Sequence, residues 1–199
     1  MTAAKELKSL GKRRLVQYSA FLSSLDSRYK QVFHLGTTTQ RYFYLAELQI
    51  ITFEDDINVC FRADNAIDYT EVCYSSAYGF YTLIRTTLEA SKKFTQEFEA
   101  LDKAGKLREY KKRNFGGIKS IVDIANDIVK HPLASGDKVV FYELGGLDSW
   151  GNIDIYRWST VDPADLKLLQ INPIKDCDFV FQYLEGLAAV YLEVMADNR

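Results

Sequence analysis

Apolar residues recur along most of the chain at the three-and-four spacing of helices that bury one face. The predicted helices run over 5–33, from about 40, from 64 or 65 to 105, from 118 to 132, and from 173 onward. His34 to Gly36, followed by three threonines, predicts a helix end, a loop and a new N-cap. The end of the second helix stays open, because 57–61 alternates as a strand does.

The periodicity changes from helical to alternating in the segments 138–144 and 152–160, which are rich in β-branched and aromatic residues. The glycine-rich link 145–151 between them predicts a β-hairpin, which must lie against the helices to be stable. Asp162 and Pro163 predict a short helix after it. The predicted fold is mainly α: an antiparallel bundle of four to five long helices in a single domain, 1–199, with a β-hairpin inserted at about 138–160, before the last helix.

Composition supports one packed domain and argues against several classes of protein. The 199 residues are 47% hydrophobic and 26% charged, which is typical of a globular chain with a sizeable core. Cys60, Cys73 and Cys177 lack a paired spacing, so neither a metal site nor a disulfide framework is predicted, and no cofactor is indicated. No signal-like segment or membrane-length apolar run is visible, so we expect a cytoplasmic protein without a membrane partner.

Charge is distributed unevenly, although the net value is only −2. Residues 1–119 carry 19 Lys and Arg against 14 Asp and Glu, whereas 120–199 carry 6 against 13. One interpretation is a basic face for an anionic partner. The other is two complementary halves that pack together.

Polar side chains gather near the end of the fourth predicted helix. Asp127 and His131 are four residues apart, so a carboxylate and an imidazole can face one another at the helix C-terminus. Both the carboxylate and the helix dipole favour a protonated imidazole there, which can bind phosphate or act as a general acid. Alternatively, His131 only caps the last carbonyls of its helix.

The run from Asn126 to His131 resembles the signature of HEPN domains, helical bundles of which many are metal-independent ribonucleases. Their motif pairs an Arg, usually followed by a polar residue, with a His, and four to six residues lie between the Arg and the His. On this resemblance His131 matches the His and Asn126 the polar residue, whereas Ala125 stands where the Arg would be. The resemblance implies an RNA-binding or RNA-cleaving protein of a bacterial or phage defence, toxin or stress system, with Asn126, Asp127 and His131 lining a groove shared across a homodimer.

Arg85 and Glu89 on the third predicted helix form the second candidate site. They are four residues apart beside the apolar stripe and could supply the missing cation to the groove. The alternative is an exposed ion pair along one helix, which stabilises it by a few tenths of a kcal/mol at most.

The basic stretch 103–119 is the third candidate, and it interleaves seven cations with Tyr110 and Phe115. Cations and aromatic rings together suit single-stranded nucleic acid, and the amides of Gly116 and Gly117, at a predicted helix start, suit an anion. The RNA-binding residues predicted on this basis are Lys111, Lys112, Arg113, Lys119 and Lys130. A solvated loop between helices would have the same composition.

Two hypotheses of function follow. The first is the HEPN-like RNA-binding or RNA-cleaving protein. The second is a non-catalytic interaction protein, such as an immunity or antitoxin partner, whose hairpin and acidic C-terminal half dock a basic protein.

Overall fold

The fold was obtained as a computed structural model that describes residues 13–26, 29–60, 66–129, 140–159 and 167–198. Over these residues the chain is mainly helical, with a small sheet before the last helix. The elements are α1 (Val16–Ser24), α2 (Lys30–Cys60), α3 (Ala66–Glu99), α4 (Lys106–Val129), β1 (Val140–Leu147), β2 (Ile153–Ser159), β3 (Lys167–Ile171) and α5 (Pro173–Ala196). The predicted helical bundle with an inserted hairpin is therefore confirmed.

An aromatic cluster forms the centre of the bundle. The ring of Tyr191 on α5 lies 4.9 Å from the rings of Phe21 and Phe98 and 5.2 Å from that of Phe94. Its hydroxyl shares a 2.6 Å hydrogen bond with the hydroxyl of Thr95. All four rings are fully buried, so they join α1, α3 and α5 through large apolar contacts and a satisfied polar group.

The last helix, α5, is long and apolar enough to cross a membrane by length and composition, the one such helix among the described residues. In this fold it is a core helix of the bundle. The side chain of Asn172 caps the first turn of α5 by accepting a hydrogen bond from the backbone N–H of Lys175. Pro173 occupies the first helical position. Val180, Leu184, Leu187, Tyr191 and Val194 are buried along one face of this helix.

Two glycines let α4 and α5 approach closely. A Cβ on Gly117 would lie 2.4 Å from Cζ of Phe179, and one on Gly186 would lie 2.3 Å from the hydroxyl of Tyr110. That hydroxyl donates to the carbonyl of Tyr183. Larger residues at these positions would push the two helices apart.

The sheet has the order β1-β2-β3, with both neighbouring pairs antiparallel. Ile153, Ile155 and Ile171 are buried on its inner face, so the sheet covers one side of the bundle as the stability of a hairpin requires. β3 was not predicted, because its five residues lack a clear alternation of apolar and polar positions. The predicted short helix at Asp162 and Pro163 lies outside the described residues.

The predicted break between the first two helices was placed wrongly. α1 ends at Ser24, and α2 then runs unbroken through Gly36 and the three threonines to Cys60, so 57–60 is helical too. Gly36 is buried, and a Cβ there would lie 2.3 Å from Leu22. The hydroxyls of Thr37, Thr38 and Thr39 donate to carbonyls three or four residues back, which satisfies them within the helix.

The predicted start of the fourth helix was also wrong. α4 begins at Lys106, so most of the basic stretch is helical and Gly116 and Gly117 lie in mid-helix, not at its start. Its first turn is capped by Asp102, whose Oδ2 accepts the backbone N–H groups of Leu107 and Arg108. The predicted stop at Pro132 lies beyond the described part of this helix.

Candidate functional site

The outward face of α4 carries a stripe of four exposed side chains, here called the α4 stripe. Arg108, Lys112, Phe115 and Lys119 follow one another at spacings of four, three and four residues, which places them on one line along the helix. Leu107, Ile121 and Ala125 on the opposite side are buried. Helical phase therefore collects three cations and an aromatic ring on the solvent side.

Most cations of α4, including Lys119 of the stripe, are held in ion pairs. Arg113 donates to Glu109 at 3.2 Å and Lys119 to Asp123 at 3.0 Å, both pairs four residues apart and largely exposed. Lys111 pairs with Glu99 of α3 instead of facing outward. Exposed pairs of this kind contribute little and exchange partners readily. Within the described residues no ion pair is recorded for Arg108 or Lys112.

A cleft of about 460 Å³ opens at the turn between α3 and α4. It is lined by Glu99, Asp102, Lys103, Ala104, Gly105, Arg108 and Lys111. Because Asp102 already accepts the amides at the start of α4, these amides are not available to a phosphate. An anion at this cleft would have to bind the side chains of Lys103 and Arg108.

The residues of the HEPN-like motif are described only in part. Lys130 and His131 lie outside the described residues, so the position of the imidazole is not established. Asn126 and Asp127 are half-buried near the end of α4. Ala125, which stands at the position of the motif's Arg, is fully buried in the core.

Arg85 and Glu89 form an ion pair at 3.1 Å on α3, with side chains 30% and 63% exposed. No hydrogen bond or ion pair joins either of them to Asn126 or Asp127 within the described part of the chain. The contact that Arg85 and Glu89 make is therefore the ion pair along one helix, which was the alternative to a catalytic role.

A buried charged cluster, which sequence reasoning missed, lies where the segment before α1 meets α2 and α5. Arg13 is 6% exposed, and its Nε donates to Oδ1 of Asp178 at 2.6 Å. Its Nη2 lies 3.8 Å from Oε1 of Glu54. The neighbouring Cys177 is buried, and burial raises the pKa of its thiol to about 12, so it stays protonated.

Glu47 is the most unusual member of this cluster, because its side chain is fully buried and neither carboxylate oxygen has a hydrogen-bond partner among the described residues. Burial raises its pKa to about 7, although the charge of Arg13 opposes the shift. A signal for this site was present in the sequence: Glu47 is in phase with the buried stripe of Phe43 and Ile50. Arg13, Glu47 and Cys177 are buried, whereas the side chain of Asp178 is 51% exposed at the edge of the cluster. The buried part suits a structural role more than contact with a substrate.

The turn between β1 and β2, residues 148–152, is here called the Trp150 turn. It presents Trp150, which is 78% exposed. Oδ1 of Asp148 accepts the backbone N–H groups of Trp150 and Asn152, both at 2.9 Å. Asn172 donates to the carbonyl of Trp150 and to the side chain of Asn152. Gly151 adopts a positive φ of 78°, as this tight turn requires. A large exposed ring is thus held on a well-ordered turn.

Comparison with known protein families, curated proteins and solved structures found no match for the chain. Inference of function therefore rests on the side chains themselves. α4 runs antiparallel alongside α5. Lys106, near the start of α4, pairs with Glu193 and Asp197 near the end of α5, and Gly117, between Phe115 and Lys119 of the stripe, lies against Phe179. The Trp150 turn bonds to Asn172, the N-cap of α5.

Proposed function

We propose that the protein binds single-stranded RNA through the α4 stripe. The observation that supports this most is the placement of Phe115, 63% exposed, between the exposed cations Arg108 and Lys112 on one side and the exposed Lys119 on the other. Cations spaced along a helix attract a phosphate backbone, and an exposed ring offers a surface on which an unpaired base can stack.

The electrostatics of α4 favour an anionic ligand. The helix carries six Lys and Arg against three Asp and Glu, although the whole chain is slightly acidic. Its exposed pairs with Glu109 and Asp123 are weak, so a polyanion can displace them and use Arg113 and Lys119. Lys103, exposed at the mouth of the neighbouring cleft, extends the same positive surface.

The choice of RNA, and of binding without cleavage, rests on the HEPN-like motif and on its departure from the family pattern. The resemblance points to RNA as the class of ligand. In its active members the motif's Arg stabilises charge on the phosphate, but the corresponding Ala125 is buried and supplies no cation. The cleavage by His131 that the resemblance implies is therefore not part of this proposal, and a place in a defence, toxin or stress system in the cytoplasm stays a prediction.

Fluorescence anisotropy with a fluorescein-labelled single-stranded RNA tests the proposal. We expect Lys112→Glu and Arg108→Glu to weaken binding at low salt, since each replaces a cation of the stripe for which the described residues show no ion pair. Lys175→Glu is the matched control, because it makes the same change of charge at an exposed position of α5, outside the α4 stripe.

The salt dependence gives a second readout. Loss of one phosphate contact should reduce the slope of log affinity against log salt by about 0.7 for a single strand. Phe115→Ala should weaken binding and leave this slope unchanged, because stacking releases no counterions. Equal loss of affinity in the Lys175→Glu control, or no binding by the wild-type chain, would remove the proposal.

A second candidate function, a protein-interaction module for a basic partner, is favoured by the Trp150 turn. Exposed tryptophan on an ordered turn is typical of an interface anchor, because little conformational entropy is lost on binding. The turn packs against Phe53 and Ile57 near the end of α2. Asp148 lies in the turn and Asp154 follows it on β2, so a basic partner is the complementary one.

Co-purification from the native host discriminates this candidate from the first. A stoichiometric basic protein that is identified, and that is lost with Trp150→Ala but kept with Phe115→Ala, would support it. Retention of the same protein by Trp150→Ala would exclude the turn as its docking site.

A further inference from the structure

The outward face of α2 carries a second regular stripe, here called the α2 stripe. Its members follow one another at alternating spacings of four and three residues, the repeat by which two helices pack along a common seam. They are Arg41, Leu45, Leu48, Thr52, Asp55 and Val59. Leu45, Leu48 and Val59 are 38%, 39% and 44% exposed, so a large part of each of these apolar side chains faces solvent.

The two charges of the α2 stripe are arranged symmetrically. Arg41 and Asp55 each lie seven residues from Leu48, in opposite directions, or about 10 Å along the helix. No ion pair of either residue is recorded in the described parts of the chain. A second α2 helix lying antiparallel across Leu48 would therefore bring the Arg41 of each chain to the Asp55 of the other.

We propose that the α2 stripe is the interface of a two-fold symmetric homodimer, centred on Leu48. Each contact then occurs twice: two Arg41–Asp55 pairs flank a central apolar contact of Leu45 and Leu48 from both copies. A single stripe with one cation and one anion offers no net attraction to a nucleic acid. Its charges complement a reversed copy of itself, which favours a second copy of this chain over another partner.

The surroundings of the α2 stripe support the same occupant. A cleft of about 340 Å³ lies beside it, large enough to receive an aliphatic side chain from the second copy. Its lining residues are Thr37, Gln40, Arg41, Tyr44, Leu45 and Leu48. Val16, 64% exposed, adds apolar surface along this edge, because the backbone N–H of Leu15 donates to the hydroxyl of Tyr44.

Sedimentation equilibrium of the full chain over a range of concentrations tests the proposal. We expect the wild-type chain to approach twice the monomer mass. Leu48→Glu should raise the dimer dissociation constant by about 100-fold or more, because it places two carboxylates together at the two-fold axis. Leu192→Glu is the matched control, since Leu192 on α5 is 40% exposed outside the α2 stripe, and we expect its dimer to be unchanged.

Charge reversal tests the pairing itself. R41D and D55R should each weaken the dimer by about tenfold or more, since each places like charges together twice, and the double variant should restore it. Circular dichroism verifies that each variant keeps the wild-type helix content. A monomeric wild-type chain, a dimer that survives Leu48→Glu, or a folded double variant that stays monomeric would each overturn the proposal. RNA binding uses the α4 stripe, so its loss or retention is measured independently.

Discussion

The guanidinium of Arg13 lies 2.6 Å from the carboxylate of Asp178, a contact that joins residues 165 positions apart in the chain. It fixes the segment before α1 to the first turns of α5. The two partners differ in burial: Arg13 is 6% exposed, whereas the side chain of Asp178 is 51% exposed. We therefore expect the loss of either side chain to lower the free energy of unfolding by a different amount.

We expect Arg13→Ala to lower the free energy of unfolding by about 3 kcal/mol, because it removes the buried cation whose charge opposes the rise in the pKa of Glu47. Asp178→Ala should lower it by less, about 1.5 kcal/mol, because the buried guanidinium of Arg13 loses one hydrogen bond but keeps Glu54 at 3.8 Å. Urea unfolding of the two variants measures both values. Equal losses of unfolding free energy in the two variants would contradict the conclusion that the charge of Arg13 acts on Glu47.

The burial of Glu47 predicts a pH dependence of stability. Its pKa rises from an ordinary value of 4.5 to about 7 in the folded chain. Between these values the folded chain binds more protons than the unfolded chain, so the contribution of Glu47 falls as pH rises, by about 3 kcal/mol at most.

Glu47→Gln removes this ionisation and keeps the shape of the protonated acid. We expect the variant to gain stability over the wild-type chain at pH 8, by about 2 kcal/mol more than at pH 5. Urea unfolding at the two pH values measures the difference. Glu97→Gln, at an exposed position of α3, is the control and should show the same effect at both.

The bundle could be predicted because helical periodicity spans long segments, but two boundaries could not. Gly36 looks like a helix stop, yet it is buried in mid-helix because Leu22 packs where its Cβ would be. Gly116 and Gly117 look like a helix start because adjacent glycines are typical of a loop, yet they lie within α4. In both cases contacts from residues distant in sequence decide the position, and no local pattern contains that information.

Adjacent glycines in α4 should respond to substitution with opposite signs. A Cβ on Gly116 meets nothing within 4 Å, so Gly116→Ala should stabilise the chain by about 0.5–1 kcal/mol through lower backbone entropy in the unfolded state. A Cβ on Gly117 would lie 2.4 Å from the ring of Phe179, so Gly117→Ala should destabilise it by about 1 kcal/mol or more. Thermal unfolding compares the two variants directly, and equal shifts would contradict the close approach of α4 and α5.

The candidate site was predicted less well than the fold. Lys112, Arg113 and Lys119 were predicted as a group, and the helical phase of α4 places them on its solvent side. Lys111 was included because it is adjacent in sequence, but it turns toward Glu99. The helical phase of Glu47 indicates its burial, but the pairing of Arg13 with Asp178 joins residues 165 positions apart, and sequence spacing does not predict it.

The departure from the HEPN pattern gives the last prediction, that the wild-type chain binds single-stranded RNA without cutting it. Ala125 is fully buried, so Ala125→Arg would place an unpaired guanidinium in the core. We expect this variant to lose about 3 kcal/mol or more of stability and to gain no ribonuclease activity. Gel electrophoresis of labelled RNA after incubation, together with thermal unfolding, measures both effects. RNA cleavage by the wild-type chain that disappears with His131→Ala, while binding is kept, would contradict the prediction and establish His131 as required for catalysis.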